Sequence, residues 1–176
     1  WQSRYSGREG WDGLERAKAF QKKKAEAGFA ALSWSTEWGG RALPPIYQVI
    51  YAQEESRYLV PRGYFEIGLG MCMPTLFTYG TAEQKRRYAP AALRGDEVWC
   101  QLFSEPAAGS DVGAGTTRAT HVAGDEYRLE GVKRFITHGD FDHPESIIHM
   151  VLARPDGAKP GTQGLSLFIA PQHWGA

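Results

Sequence analysis

The 176-residue chain is poor in cysteine. It has only Cys72 and Cys100, both in apolar surroundings and without metal-type spacing. That excludes a disulfide-stapled secreted scaffold and a cysteine-based zinc module. It fits buried, reduced thiols in a cytoplasmic setting. The chain also lacks any apolar run long enough to span a membrane, and no signal peptide opens it. It has no excess of charge of either sign: 20 basic and 20 acidic residues cancel. Nucleic acid and anionic membranes are therefore not its main partners. It has no internal repeat and no low-complexity segment. An initiator Met is missing, and the chain stops just after a strand-like stretch, so both ends are expected to be cut. What remains is ordinary globular composition, 42% hydrophobic and 23% charged, enough for one sizeable core or two small ones.

The first half of the chain has helical periodicity. Residues 11–28 place Leu14, Ala17 and Phe20 at near-helical spacing, with Gly28 as the stop. The basic run Lys22-Lys23-Lys24 reads as a wet face. Residues 31–40 form a loop anchored by Trp34 and Trp38. Pro44-Pro45 opens a second helix with Ile46, Val49 and Ile50 on its apolar side, Glu54, Glu55 and Arg57 solvated, and Pro61 as its end. Residues 63–79 suggest a buried helix broken near Pro74. Thr81-Ala82-Glu83-Gln84 fits a capping box for a helix that ends at Gly95.

After residue 96 the period changes to two. Strands are expected at 98–103, 116–122, 127–137, 147–153 and 165–170, with Gly124-Asp125 as a hairpin turn. The expected class is α+β: a helical domain, residues 1–96, then an antiparallel, barrel-like β domain, residues 97–176.

The most informative stretch is residues 99–111, Trp-Cys-Gln-Leu-Phe-Ser-Glu-Pro-Ala-Ala-Gly-Ser-Asp. It starts as a strand and stops abruptly. Pro106 removes a donor and fixes φ, while Gly109 permits close approach or positive φ. Small residues and the hydroxyls of Ser104 and Ser110 make a natural seat for a flat ring with a phosphate tail. The plain alternative is a polar turn between strands.

The wording of this stretch resembles the signature of the acyl-CoA dehydrogenases, flavoenzymes whose loop reads Thr/Ser-Glu-Pro-Gly-Ala-Gly-Ser-Asp. Only Ala107 departs, standing where the family usually has glycine. A second stretch, Glu130-Gly131-Val132-Lys133-Arg134-Phe135-Ile136-Thr137-His138-Gly139, is similar to the family's Asn-Gly-x-Lys-x-Trp-Ile-Thr-Asn-Gly. Its separation from the first is also that of the family.

The resemblance implies FAD as cofactor. It places Phe135 as the aromatic against the flavin ring and Thr137 as the hydroxyl near flavin N5. Phe103 and Ser104 fall on the pyrimidine side, and Ser110 near the pyrophosphate and beside the acyl-CoA. Gln101, Gly109 and Ile136 complete the implied cofactor-binding set.

The implied reaction is α,β-dehydrogenation of an acyl-CoA thioester, with a carboxylate as base. In the family that base comes from a C-terminal helical domain this chain does not include. Glu105 and Glu66 do not match its position, and Glu105 reads as a structural tie, so no catalytic residue is assigned. The implied partners are acyl-CoA, an electron-transferring flavoprotein and further copies of the subunit. Two alternatives stay open: a non-catalytic flavin- or acyl-CoA-binding module, and an acyl-CoA oxidase.

His138, Asp140, Asp142, His143 and His149 crowd one stretch, but their spacing matches no standard metal set, and solvated loop residues are the reading adopted.

Overall fold

The computed structural model describes residues 10–140 and 147–173, with side chains from residue 13 onward. The chain divides into two compact units, one ending at Val98 and one starting at Trp99.

In the first unit, α1 (Gly10–Glu26) buries Leu14 and Ala17. The next sealed position is Gln21 rather than Phe20. Its side-chain amide donates to the Leu93 carbonyl at 2.7 Å, which ties α1 to α4 (Ala82–Arg94). α2 (Pro45–Glu55) opens at proline as expected but ends well before Pro61. None of its residues is buried, and Ile46, Val49 and Ile50 stand about half exposed.

Glu55 is not solvated as its sequence context suggests. It accepts from Lys24 Nζ at 3.0 Å, from the Tyr51 hydroxyl at 2.9 Å and from Arg62 at 3.3 Å. Lys24 accordingly leaves the wet face that Lys22 and Lys23 keep.

The expected break at Pro74 is absent. The helix instead widens into a π-turn at Gly68–Cys72 and continues as α3 (Met73–Tyr79), with Pro74 in its first turn. The widened turn lies just before Pro74, where it accommodates the proline ring and the missing N–H. The run is also only partly buried: Cys72 and Met73 are sealed, while Tyr79 is 84% exposed. Burial pushes the Cys72 thiol up to about 12, which leaves it inert as a nucleophile. Trp34 and Trp38 both pack on Phe77, with ring centroids 4.8 and 6.1 Å away, so the aromatic loop is anchored as expected. The capping box of α4 is complete: Thr81 Oγ1 accepts from the Gln84 amide at 3.1 Å, and Gln84 Oε1 accepts from the Thr81 amide at 2.9 Å. Gly95, at φ +75°, closes the helix.

The second unit is built on a five-stranded sheet: β1 (Val98–Leu102), β2 (Arg118–Ala123), β3 (Glu126–Glu130), β4 (Ile147–Pro155) and β5 (Ser166–Pro171). The order is β1-β4-β2-β3, and β5 also pairs with β4. β4 is the spine, burying Ile147, Ile148, Met150, Val151 and Ala153. Over its first three residues β1 is buried on both faces, because consecutive side chains point opposite ways. Gly124, at φ +51°, and Asp125 make the two-residue β2–β3 turn.

The α+β class is as expected, but two details of the β unit differ. The sheet is mixed and open among the described residues, not a closed antiparallel barrel. β2 runs parallel to β4 and meets it only at Arg118↔Arg154 and Ala119↔Pro155. In addition, β3 ends at Glu130, so the second motif lies in an irregular loop rather than on a strand.

Replacing Thr81 by Ala removes one half of the capping box. The expected loss is about 1 kcal/mol of unfolding free energy by denaturant titration, with Thr81→Ser nearly neutral.

Candidate functional site

The two sequence motifs meet at one buried carboxylate. Glu105 is 5% exposed and accepts four hydrogen bonds. Oε2 receives the Thr116 amide at 2.6 Å and the Thr116 hydroxyl at 2.8 Å. Oε1 receives the Thr117 amide at 3.0 Å and Lys133 Nζ at 2.9 Å. Lys133 also donates to the Phe103 carbonyl at 3.1 Å. Burial alone would raise the Glu105 pKa. The bonds from Thr117, Thr116 and Lys133 outweigh it and hold the carboxyl well below the usual carboxylate range. Reciprocal backbone bonds between Glu105 and Ala108, at 2.9 and 3.1 Å, then fold the loop over Pro106 and Ala107. Ala107 is not at positive φ, so the missing glycine costs no backbone strain.

The second motif leaves the sheet because its backbone is crowded and then turned. A Cβ on Gly131 would sit 2.4 Å from Thr117 Oγ1, so glycine is required for close approach. The Arg134 amide donates to the Ser104 carbonyl at 3.0 Å, laying residue 134 beside residue 104. Phe135 then takes φ +60°, and its ring stands 84% exposed. A bulky residue in the left-handed region costs about 1–3 kcal/mol, so the exposed ring is held there by its surroundings. The Arg134 guanidinium lies 5.1 Å over that ring. A core role for Phe135 is excluded by its exposure.

Residues 136–139 close a turn, with the Gly139 amide donating to the Ile136 carbonyl at 3.3 Å. His138 occupies the third position at φ +59° while Thr137 keeps negative φ, as in a type II turn. Histidine, like asparagine, is enriched in this conformation, which explains why His138 can stand where the resemblance has asparagine.

The predicted site residues therefore fall in three places. Gln101 lies on β1, and Phe103 and Ser104 follow it, all half-buried. Gly109 and Ser110 are exposed beyond the Glu105–Ala108 bridge; Gly109 is not at positive φ, and a Cβ there would meet nothing within 4 Å. Phe135, Ile136 and Thr137 sit on the turn loop, Ile136 half-buried and Thr137 exposed. The structure joins the first and third of these directly, at Ser104–Arg134 and Phe103–Lys133.

Sequence reasoning gave Lys133 no role. Its signal was a lysine inside one motif facing a carboxylate inside the other. Arg154, also unassigned, donates to the carbonyls of Lys159, Gly161 and Gly113, pinning two loops of the same unit.

Among the described residues no group of three His, Cys, Asp or Glu side chains is placed to hold a metal ion. Asp142 and His143 lie outside the described residues. No described helix is long and apolar enough to cross a membrane.

The fold of this chain is also found in solved structures. The "Tcur3481-Tcur3483 steroid ACAD" superposes with a TM-score of 0.74 at 32% identity, over 90% of this chain and 41% of that one. An acyl-CoA dehydrogenase from Bacillus anthracis complexed with FAD matches with a TM-score of 0.67 at 28% identity, over 91% of this chain and 26% of its own. In sequence, the broad-specificity linear acyl-CoA dehydrogenase FadE5 of Mycobacterium tuberculosis is 41% identical over 151 residues, covering 84% of this chain and 24% of FadE5. The family profile "Acyl-CoA dehydrogenase, N-terminal domain" matches residues 7–96, and "Acyl-CoA dehydrogenase, middle domain" matches residues 100–175. The chain belongs to the acyl-CoA dehydrogenase family, a family of flavoprotein oxidoreductases. It spans between a quarter and two-fifths of the length of these three relatives.

Glu105→Gln leaves the buried Lys133 ammonium without its counter-charge, and the expected loss is about 3–5 kcal/mol of stability at neutral pH. The wild-type carboxyl titrates lower folded than unfolded, so its contribution is full above about pH 4.3 and fades as pH falls toward the folded value. Acid melts should show that slope in wild type and a flatter one in Glu105→Gln.

Proposed function

We propose that this chain supplies the flavin-facing part of an FAD-dependent acyl-CoA dehydrogenase, with residues 1–96 as the helical domain and 97–176 as the flavin and acyl-CoA-binding domain. The observation that carries the reading is the Glu105–Lys133 interlock, which sets an 84%-exposed Phe135 and the Thr137 turn beside the Ser104 segment. The residues present fit a flavin. An aromatic face is held outward, hydroxyls flank it, and the backbone at Gly109 is open.

FAD, when bound, supplies the hydride acceptor for α,β-dehydrogenation of an acyl-CoA thioester to the trans-2-enoyl-CoA. In this assignment Phe135 and Ile136 cover the ring and exclude water. Thr137 donates near flavin N5, and Gln101, Phe103 and Ser104 hold the pyrimidine side. Gly109 gives the phosphates access to backbone, and Ser110 serves both pyrophosphate and acyl-CoA.

The proton on the α carbon needs a carboxylate, and neither of the two weighed for that role is free to take it. Glu105 is sealed and fully engaged, and Glu66 accepts from the Gly63 and Phe65 amides at its own helix start. The chain alone is therefore expected to bind without turning over. That engagement is also what favours a second reading, a flavin- or acyl-CoA-binding module without catalysis. The complete enzyme is proposed to be cytoplasmic and homo-oligomeric and to pass electrons to an electron-transferring flavoprotein.

FAD titration of this chain should quench flavin fluorescence. Removing two hydroxyl hydrogen bonds in Ser104→Ala with Thr137→Ala should weaken binding by about tenfold or more. Equal affinity in the double variant would remove these residue assignments.

A further inference from the structure

His149 has no part in the reading above, yet its geometry gives it one. It sits on β4 between Ile148 and Met150, which are 1% and 2% exposed, so its backbone belongs to the most firmly buried strand of the unit. Its own side chain is half-buried and points to the opposite face from those two. Its Nε2 lies 2.9 Å from the Gly139 carbonyl oxygen. A carbonyl only accepts, so Nε2 carries the proton and donates.

The turn that receives this bond is closed by a long internal bond and carries strained backbone. Its internal Gly139–Ile136 bond is 3.3 Å, long for N–H···O, and residues 135 and 138 are both in the left-handed region. On the N-terminal side the loop is tied down by Lys133 and by the Arg134–Ser104 bond. On the C-terminal side His149 ties Gly139 at 2.9 Å, and the Gln172 side-chain amide donates to Asp140 Oδ1 at a longer 3.3 Å.

We infer that His149 is a positioning residue. Its Nε2–H holds the Ile136–Gly139 turn against β4 and so sets where the Thr137 hydroxyl stands. The consequence for cofactor binding rests on the flavin reading of Thr137; the tie itself does not. A group fixed by a supporting hydrogen bond from a rigid element keeps its geometry better than one on a free loop.

The test uses this chain, wild type and two variants. His149→Phe keeps an aromatic ring and loses the donor. His149→Gln keeps a donor of similar reach. In wild type, long-range nitrogen–proton spectra should show the proton of His149 on Nε2. Amide exchange at Gly139 should quicken about fivefold or more in His149→Phe, and affinity for FAD should fall by a similar factor. The Arg134 amide, bonded to Ser104, should be unchanged, and His149→Gln should restore both quantities to within about twofold.

A His149 protonated only on Nδ1, unaltered Gly139 exchange in His149→Phe, or failure of the Gln variant to rescue overturns the inference. So does a parallel rise at Arg134, which would mean general loosening of the sheet. A wild-type chain that binds no FAD at all sinks the flavin reading instead, and the exchange data still decide the tie.

Discussion

The Glu105–Lys133 ion pair is the constraint on which the candidate site depends. Both side chains are under 10% exposed, at 4% and 8%, so neither charge has water to fall back on. Such a pair is weak evidence of net stability, because desolvation offsets much of the attraction. Its value here is geometric. One carboxylate collects the Thr116 and Thr117 amides from the far end of its own loop and the lysine of a second loop. That lysine in turn holds the Phe103 carbonyl. Three backbone segments, at residues 103–105, 116–117 and 133, are fixed by two charges, and an apolar pair in their place could not satisfy those polar groups.

With that junction fixed, unfavourable backbone conformations can be carried nearby. Phe135 and His138 both occupy the left-handed region within four residues of each other, and one of them exposes a large ring to solvent. Neither choice helps an isolated fold. Strain and exposed apolar surface concentrated at one loop accord with the flavin-facing role proposed for it, in which a bound ring would cover Phe135 and benefit from its fixed position. The helical unit shows a different use of charge. Glu55 gathers Lys24, Arg62 and Tyr51 around itself, and the phenol is pushed above its ordinary pKa by burial and then by that carboxylate. These groups satisfy one another and act as a brace between α1 and α2.

Much of the architecture was legible from local rules. The capping box at Thr81, the stop at Gly95, the Gly124-Asp125 turn and the strand leading to Ser104 each depend on a few neighbouring residues, and each stands as read. Readings that needed a distant partner fared less well. Glu55 and Lys24 looked solvated because their partners are 31 residues apart. Residues 131–137 looked like strand because Phe, Ile and Thr favour extended backbone. Beyond Glu130 the neighbouring residue is Thr117, whose amide goes to Glu105 and whose carbonyl accepts from Arg154, so the β2–β3 ladder stops there. Pro74 looked like a break, and the chain absorbed it by widening one turn.

The sequence by itself determined the helix-then-strand order, the start of α2, both caps of α4 and the membership of two motifs in one family. Period, capping and turn chemistry all act over a few residues, so they can be read without coordinates. Only the tertiary structure decided that the sheet stays open, that Lys133 is the partner of Glu105, and that Phe135 faces outward at positive φ. Each of those depends on which segments, far apart in the chain, compete for the same buried space and the same hydrogen-bond donors, and that competition is resolved only when the chain is folded.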